Sequence, residues 1–257
     1  MSKLTHFYSS FKHGNMLIAN AARKAGLKGI LSAIWSDLVK GMSKLQAIYL
    51  ILLSLAPLAI ELYSNGKIND WVGLIASTTG IMCVIYVSFG RASNYLFGTI
   101  NAVVYLILSV NATFYGEVIT TLYFFVMQPI GLWLWLVNAL EPKHEEHVGD
   151  IKVRSLNFFG WIKWLTYTAL IWLAMGFAYK SIGSARPFRD SITDGTNYTG
   201  QMLMNNLYWE QWLFWIATNL FSIYLWWGSN VQVQGMYWVY TLNSLVGMIV
   251  WFRNAKK

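Results

Sequence analysis

Polar side chains recur along one stretch of this chain at a spacing that suits ligand recognition. Four of them occupy every fourth position of residues 188–206: Thr193, Asn197, Gln201 and Asn205. This spacing stacks them along one face of a helix. Amide groups offer a hydrogen-bond donor and an acceptor together, so such a face can bind the hydroxyl and carboxamide groups of a small molecule.

A second set of residues combines aromatic rings with amides. Trp212 and Trp215 precede Asn219 on one side of a helix, seven and four residues before it. Aromatic faces stack on a planar ring and attract a positive one. Together the two patterns predict a substrate site formed by ten residues: Asn101, Tyr123, Gln128, Asn197, Gln201, Trp212, Trp215, Asn219, Tyr240 and Asn243.

Each of these residues also has a purely structural interpretation. An aromatic stripe on a helix packs in a core or lies in an interfacial belt more often than it binds a ligand, and Trp226, Trp227 and Trp251 at helix ends fit such a belt. A buried amide can bond to a neighbouring helix, which stabilises by about 1 kcal/mol or less. Four polar residues in register exceed what one helix contact needs, and this favours a polar cavity.

The composition indicates that these residues lie in a membrane protein. Hydrophobic residues make up 56% of the 257-residue chain and charged residues 12%, whereas soluble domains carry about 25% charged residues. A stretch of roughly 20 apolar residues crosses a bilayer as a helix. Seven such stretches and the polar stretch together predict eight spans: 46–64, 71–88, 94–113, 117–139, 158–179, 188–206, 209–228 and 234–252.

The distribution of basic residues supports eight spans rather than seven. With eight, 14 of the 19 Lys and Arg lie on one side of the membrane and four on the other. The richer side is cytoplasmic by the positive-inside rule, which places both termini in the cytoplasm. With seven spans the split weakens to 11 against seven.

An internal repeat organises the predicted spans. The run 79–82, Thr-Gly-Ile-Met, recurs at 199–202 as Thr-Gly-Gln-Met, and Trp133 recurs as Trp251. Two parallel three-helix repeats joined by a linker helix are a known plan for small transporters. The predicted fold is an all-α integral membrane protein of this 3+1+3 plan, with an extra N-terminal helix. Its parts are an amphipathic interfacial segment at 1–45, a transmembrane helix at 46–64, repeats at 70–140 and 188–252, and a linker at 158–179.

The N-terminal segment has two interpretations. Apolar residues recur at roughly helical spacing through residues 15–40, with Arg23, Lys24 and Lys28 interleaved. This pattern is typical of a basic amphipathic helix on the anionic cytoplasmic leaflet. A soluble extension remains the alternative.

Other chemistries receive weak support from the sequence. Residues 144–147, reading HEEH, lack the spacing of a zinc-binding helix, and the single cysteine, Cys83, lies in an apolar run where a packed side chain is expected. No phosphate-binding glycine loop, catalytic set or nucleic-acid motif is evident, so no cofactor, metal or nucleic acid is expected. Glu61, Asp194 and Glu210 are the carboxylates that a proton-coupled carrier could use, although the helix-end positions of Glu61 and Glu210 favour solvated or capping groups.

The predicted ligand is neutral or weakly cationic. No cluster of Arg or Lys lies inside the predicted spans, so a phosphate group there would find no compensating charge. A nucleoside therefore fits the site better than a nucleotide.

Three runs of residues resemble a known family of membrane transporters. SNYLFGTIN at 93–101, GLWLW at 131–135 and EQWLFWIATN at 210–219 resemble motifs of the PnuC family of bacterial vitamin B3 transporters, and the resemblance covers about residues 70 to 254. It implies a SWEET-like fold, nicotinamide riboside as the substrate, facilitated diffusion, and trapping by a cytoplasmic kinase that phosphorylates the riboside. It further implies a homotrimer in the bacterial inner membrane.

The resemblance also carries site residues over to this chain. It places the family's glutamine, tryptophans and asparagines at Gln201, Trp212, Trp215, Asn219 and Asn101. At Gln128 the family often has an asparagine, a departure that lengthens the reach of the amide. Related members carry thiamine or riboflavin, so these vitamins, and proton coupling, stay open as alternatives. A membrane enzyme, a sugar facilitator and a ligand sensor are the other classes left open.

Overall fold

Helices make up almost all of the protein that the structure describes. The computed structural model describes residues 3–111, 115–140, 152–184, 186–225 and 231–255. The helices are α1 Lys3–Trp35, α2 Lys44–Ser54, α3 Ala56–Asn65, α4 Trp71–Ser88, α5 Asn94–Asn111, α6 Tyr115–Leu140, α7 Phe158–Ser181, α8 Pro187–Asp190, α9 Ile192–Asn205, α10 Gln211–Leu225 and α11 Val231–Ala255. The predicted all-α class is confirmed. The HEEH run at 144–147 lies outside the described residues.

Several helices are long and apolar enough to cross a membrane. Among the described residues, five stretches meet this criterion by length and composition: Lys44–Asn65, Trp71–Ser88, Asn94–Asn111, Val118–Leu140 and Phe158–Ser181. They coincide with the first five predicted spans, and the protein is a multi-pass membrane protein. The total of eight spans stays a prediction.

Six helices form a closed ring. Helix α4 packs on α5 and α5 on α6, while α9 packs on α10 and α10 on α11. Contacts of α6 with α9 and of α11 with α4 close the ring at two seams. Helix α7 packs against α9 from outside, and α2 and α3 pack on the ring at α4 and α11. The ring has the connectivity expected of two three-helix units, but their equivalence as a repeat stays a prediction.

The predicted span 46–64 is interrupted at one residue. Helix α2 ends at Ser54, and α3 begins at Ala56 after the turn residue Leu55. Pro57 lies in the first turn of α3, and because proline has no N–H it cannot continue the hydrogen bonds of α2. The interruption therefore has a local chemical cause.

Helix α9 is short and deeply buried. The predicted helix 188–206 is divided at Ser191, which separates α8 from α9. At a rise of about 1.5 Å per residue, the 14 residues of α9 extend about 21 Å. Small residues let its neighbours approach: a Cβ added to Gly195 would lie only 2.7 Å from the backbone oxygen of Thr168 on α7. A polar, glycine-containing helix thus lies inside the protein rather than against lipid.

An aromatic cluster fills one end of the ring. Trp135, Trp212 and Trp251 belong to a buried core with Tyr95 and Val153. The expectation that Trp251 lies in an interfacial belt is wrong, because its side chain is 1% exposed. Position near a helix end does not determine exposure when other helices and a loop cover that end.

Helix α1 lies along the outside of α6 and breaks in the middle. Gly14 packs against Trp133, whose Nε1 donates to Oδ1 of Asn15 at 2.9 Å. At Gly26 the backbone adopts φ +63°, a left-handed conformation that glycine tolerates. Beyond this break, apolar side chains are exposed: Leu27, Leu31, Ile34 and Trp35.

Asp37 fastens the N-terminal segment to the α4–α5 connection. It lies in the π-helical turn Ser36–Lys40. Its Oδ2 accepts hydrogen bonds from the backbone N of Ser93 at 2.6 Å and from the hydroxyl of the same serine. In addition, Arg91 donates to the backbone oxygens of Ser36 and Asp37. The carboxylate lies just before α5, where the helix dipole favours negative charge.

Replacing Asp37 with alanine should loosen the N-terminal segment. The change removes two acceptor contacts, which should lower the free energy of unfolding by about 1–3 kcal/mol. Limited proteolysis in detergent should cut within α1 and the π-helical turn sooner than in the parent. Asp70→Ala removes the cap of α4, where Asp70 accepts from the backbone N of Gly73, and serves as the control that should leave this cleavage unchanged. Identical digestion of parent and Asp37→Ala would contradict the assignment.

Candidate functional site

Asn101 and Tyr240 meet beside Gly80, where three helices of the ring converge. Asn101 of α5 donates Nδ2 to the backbone oxygen of Ala76 on α4 at 2.7 Å. A Cβ added to Gly80 of α4 would lie 2.6 Å from the Oη of Tyr240 on α11 and 3.0 Å from the Nδ2 of Asn101. The glycine therefore permits two predicted site residues from different halves of the chain to approach each other.

Gln128 on α6 lies opposite Gly98 of α5. Its side chain is 6% exposed, and its Oε1 is buried without a hydrogen-bond partner among the described residues. A Cβ on Gly98 would lie 2.6 Å from this oxygen and 3.1 Å from the Sγ of Cys83 on α4. Because a buried acceptor without a partner costs free energy, Gln128 is suited to accept a hydrogen bond from a ligand.

Gln201 on α9 belongs to a hydrogen-bonded chain that reaches α5. Its Nε2 donates to the Oδ1 of Asn205 at 2.9 Å, and Tyr95 of α5 donates its hydroxyl to the same oxygen at 3.3 Å. A Cβ added to Gly131 of α6 would lie 2.5 Å from that oxygen. Three helices therefore meet at Asn205. The carbonyl oxygen of Gln201 can still accept a hydrogen bond from a ligand.

Trp215 and Asn219 occupy successive turns of α10. The indole of Trp215 lies against Gly200 of α9, where a Cβ would be 3.1 Å from Cε2, and its Nε1 donates to the Oε1 of Gln211 at 3.3 Å. Asn219 donates Nδ2 to the Oγ of Ser244 on α11 at 3.3 Å. The Oδ1 of Asn219 has no partner in the described part of the chain.

Trp212 and Asn243 are more deeply involved in packing than the sequence predicts. Trp212 is 1% exposed and packs edge-on against Trp251, with ring centroids 6.1 Å apart. Its Nε1 is buried without a hydrogen-bond partner among the described residues. Asn243 donates Nδ2 to the backbone oxygen of Val84 at 2.9 Å and accepts from the hydroxyl of Tyr49 at 3.3 Å. Asn243 thus joins helices and has less capacity left for a ligand.

Tyr123 of α6 contacts α9, and Asn197 of α9 lies next to the residue that it contacts. Tyr123 lies against Tyr198, with ring centroids 4.2 Å apart, and donates its hydroxyl to the backbone oxygen of Tyr198 at 3.2 Å. The adjacent Asn197 is half-buried and forms no hydrogen bond with the residues that the structure describes. Its amide is therefore available to a ligand.

Asp194 links three helices, which the sequence pattern does not reveal. The side chain is 4% exposed. Its Oδ1 accepts from the hydroxyl of Thr120 on α6 at 2.7 Å, and its Oδ2 accepts from the hydroxyl of Tyr179 on α7 at 2.8 Å. A hydroxyl at both carboxylate oxygens stabilises a buried acidic side chain and gives Asp194 a structural role in addition to the predicted one.

The other two acidic candidates are buried groups that accept backbone hydrogen bonds. Glu61 accepts from Nδ2 of Asn65 at 3.0 Å and from the backbone N of Asn69 at 3.1 Å. Glu210, in the turn before α10, accepts from the backbone N of Leu156 at 2.6 Å. Their predicted exposure to solvent is wrong, since they are 8% and 1% exposed. The contacts named here do not cap a helix, because the N-caps of α4 and α7 are Asp70 and Asn157.

Basic side chains are absent from the ring helices except at one end of α11. Residues 71–88, 94–111, 115–140, 192–205 and 211–225 contain no Lys or Arg, and α11 has only Arg253, in its last turn. Arg91 and Arg189 lie outside the ring helices, Arg189 with its guanidinium 5.0 Å from the ring centroid of Tyr224. The candidate site therefore combines amide oxygens and aromatic rings with no cation.

Comparisons with known proteins agree on one family. The model of the nicotinamide mononucleotide transporter family matches residues 70–253. The chain is 31% identical over 222 residues to the nicotinamide riboside transporter PnuC of Haemophilus influenzae, covering 86% of this chain and 95% of that protein. It is 30% identical over 244 residues to the nicotinamide riboside transporter PnuC of Neisseria mucosa, covering 89% of each. A crystal structure of the vitamin B3 transporter PnuC matches with a TM-score of 0.72 and 28% identity, covering 87% of this chain and 97% of that chain.

Alanine at position 98 should disturb the contact between α5 and α6. The new methyl group would overlap the Oε1 of Gln128, and overpacking of this kind costs about 1–3 kcal/mol. For a chain of this size that corresponds to a fall in melting temperature of roughly 2–10 °C, measurable by thermal unfolding in detergent. Gly160→Ala at the start of α7, where the nearest atoms would be 3.2 Å away, is the control and should melt close to the parent. If Gly98→Ala also melts with the parent, the close packing at Gly98 is wrong.

Proposed function

The chain belongs to the nicotinamide mononucleotide transporter family, and from this premise we propose that it transports nicotinamide riboside. Members of this family are transporters, and the protein is a membrane transporter rather than an enzyme. Two relatives at 31% and 30% identity carry the name nicotinamide riboside transporter. The remaining question is which chemical form of the vitamin the site accepts.

The absence of Lys and Arg from five of the six ring helices is the observation that favours the riboside over the mononucleotide. A phosphate group carries about two negative charges near neutral pH, and in a low-dielectric interior it needs compensating charge. Helices α4, α5, α6, α9 and α10 contain no Lys or Arg. A ligand without phosphate avoids this desolvation cost.

The riboside also matches the groups that are present. Its nicotinamide ring is flat and positively charged, and the indole of Trp215 offers an aromatic face for such a ring. Its carboxamide and ribose hydroxyls are hydrogen-bond donors that suit the oxygens of Asn101, Gln128 and Asn219. Tyr240 and Asn197 provide groups that can donate or accept.

Facilitated diffusion is the proposed transport mode, with phosphorylation by a cytoplasmic kinase trapping the riboside inside. The three buried carboxylates all accept hydrogen bonds in the described structure: Glu61, Asp194 and Glu210. Each of these carboxylates therefore has a structural contact that accounts for its burial without a role as a proton carrier. Proton coupling through Asp194 is the alternative, because this residue lies buried between α6, α7 and α9.

The proposed setting is the bacterial inner membrane, with both termini in the cytoplasm. The basic residues of the N-terminal segment and of the C-terminus support this orientation through the positive-inside rule. A homotrimer is proposed by resemblance to the family. The exposed apolar face of α7, which includes Leu165, Leu170 and Phe177, is available to lipid or to a neighbouring subunit.

Quenching of tryptophan fluorescence tests the proposed substrate. Nicotinamide riboside should quench the purified protein saturably, because Trp215 lies among the candidate residues, whereas nicotinamide mononucleotide should not. Thiamine and riboflavin serve as comparisons. A response to thiamine or riboflavin without a response to the riboside would overturn the substrate and leave the transporter class intact.

Leucine substitutions test the candidate site. Asn197→Leu, Gln201→Leu and Asn219→Leu each remove polar groups, and we expect each to weaken riboside affinity roughly 5- to 150-fold, the equivalent of about 1–3 kcal/mol. Uptake into proteoliposomes provides the measurement, with elution on size exclusion as the check of folding. Asn15→Leu makes the same chemical change on α1, outside the ring, and should retain parental uptake. Parental kinetics in all three site variants would place the site elsewhere.

Uptake with and without a proton gradient tests the transport mode. Facilitated diffusion predicts that imposing an inward proton gradient across proteoliposomes leaves the final internal concentration of riboside equal to the external one. Accumulation above that level, lost in Asp194→Asn, would establish proton coupling instead.

A further inference from the structure

Helix α1 carries an open apolar face on the C-terminal side of its break at Gly26. The large apolar side chains between the break and the π-helical turn are all exposed: Leu27, Ile30, Leu31, Ile34 and Trp35. Their spacing of three and four residues places them along one face of the helix. A contiguous exposed apolar face of this kind marks an interaction surface.

The composition of α1 suits a helix that lies on a bilayer rather than one that crosses it. The helix has 33 residues, yet it is not among the described stretches that are apolar enough to span a membrane. Three basic residues flank the start of the open face, and all are exposed: Arg23, Lys24 and Lys28. Helices that combine an apolar face with Lys and Arg lie in the plane of the interface, with the apolar face in lipid. Trp35 has the amphipathic ring that is enriched at this depth.

Two contacts hold α1 at one end of the ring. Before the break, Gly14 packs against Trp133 near the end of α6. After the break, Asp37 accepts from the backbone N of Ser93 in the α4–α5 connection. Since consecutive spans run in opposite directions, the end of α4 and the end of α6 lie at the same surface of the membrane. The open face therefore lies between two contacts at that surface, where the headgroups of the lipids are.

The charge of the segment indicates which lipids this surface contains. Residues 3–44 contain seven Lys and Arg and a single acidic residue, Asp37, whose carboxylate accepts from the backbone N and the hydroxyl of Ser93. Anionic headgroups attract each basic residue that lies near them, whereas zwitterionic headgroups offer no net charge. A second copy of this chain would present an equally basic face. Charge complementarity therefore favours anionic lipid as the occupant.

From these observations we propose that residues 27–35 bind anionic phospholipid, with their apolar face in the cytoplasmic leaflet and with Arg23, Lys24 and Lys28 at the headgroups. The sequence pattern assigns the whole of 1–45 to the interface. The structure narrows the lipid-binding part to the portion beyond Gly26, because before the break α1 packs on α6. Bound in this way, the segment holds the α4–α5 connection at the headgroups through Asp37. The proposal rests on the proposed orientation for the choice of leaflet and does not depend on the substrate.

Spin labels on the full chain test the lipid contact. One label is attached at Leu31→Cys on the apolar face and, in a second variant, at Ser32→Cys on the opposite face, and labelling of the parent gives the background from Cys83. The proteins are placed in nanodiscs of phosphatidylglycerol or of phosphatidylcholine. In phosphatidylglycerol, oxygen should reach the label at position 31 and a water-soluble nickel complex should not, whereas nickel should reach the label at position 32. In phosphatidylcholine, the ratio of shielded to nickel-accessible label at position 31 should be roughly 10- to 100-fold lower.

Removal of the basic residues tests the part that charge plays. Arg23→Gln, Lys24→Gln and Lys28→Gln together should lower the same ratio in phosphatidylglycerol roughly 10- to 100-fold and leave it unchanged in phosphatidylcholine. The matched control removes three basic residues that are predicted on the other side of the membrane, and it should keep the parental ratio: Lys67→Gln, Lys180→Gln and Arg186→Gln.

Three results would overturn the proposal. A ratio that is equal in the two lipids, or that the first triple variant leaves unchanged, would show that anionic headgroups are not recognised. Nickel accessibility at position 31 equal to that at position 32 in both lipids would show a soluble extension. Dipolar broadening between labels at position 31 in detergent would show that a second copy of the chain covers the face. None of these measurements involves the riboside, so failure of the proposed function and failure of this proposal are distinguishable.

Discussion

Side-chain donors that reach the backbone carbonyls of a neighbouring helix hold the two halves of the ring together. At one seam, Trp135 of α6 donates Nε1 to the backbone oxygen of Met204 on α9. At the other, Asn243 and Trp251 of α11 donate to carbonyls near the end of α4. Inside a membrane no water is available to a buried donor, so each of these groups needs a protein partner. The seams therefore determine how the helices are placed and which polar groups remain for a ligand.

Close approach of the helices depends on glycines at the positions where side chains cross. Gly80 admits Asn101 and Tyr240, and Gly98 admits Gln128. Small residues let helix backbones come near each other in a membrane, where packing and polar contacts replace the hydrophobic effect as the driving force. The same glycines let side chains of α5, α6 and α11 approach the neighbouring helix backbone.

The hydrogen bonds that orient Asn101 and Asn219 lie within one half of the ring each, whereas that of Asn243 crosses a seam. Asn101 bonds from α5 to α4, and Asn219 bonds from α10 to α11. Movement of one half against the other, the general mode of transporters built from repeats, would strain the seams and leave these bonds unchanged. Under the proposed function, Asn101 and Asn219 would keep their orientation whichever side of the membrane the site faces.

The sequence alone determined the class of the protein and the chemical character of its candidate site. Hydropathy identified the spans because crossing a bilayer requires length and apolarity, which are properties of the local chain. The sequence also shows that five of the six ring helices contain no Lys or Arg, and it shows the four-residue spacing of Asn197, Gln201 and Asn205. Helical periodicity specifies which side chains share a face, although it does not specify what that face meets.

Only the tertiary structure decided which partners the polar groups meet. It buried Trp251, which the sequence places at a helix end, and it surrounded Asp194 with the hydroxyls of Thr120 and Tyr179 from two other helices. It also oriented Asn101 through the carbonyl of Ala76, 25 residues earlier in the chain. These outcomes depend on contacts between helices that are distant in sequence, and the direction of a hydrogen bond follows from the atom it faces rather than from the residue that makes it.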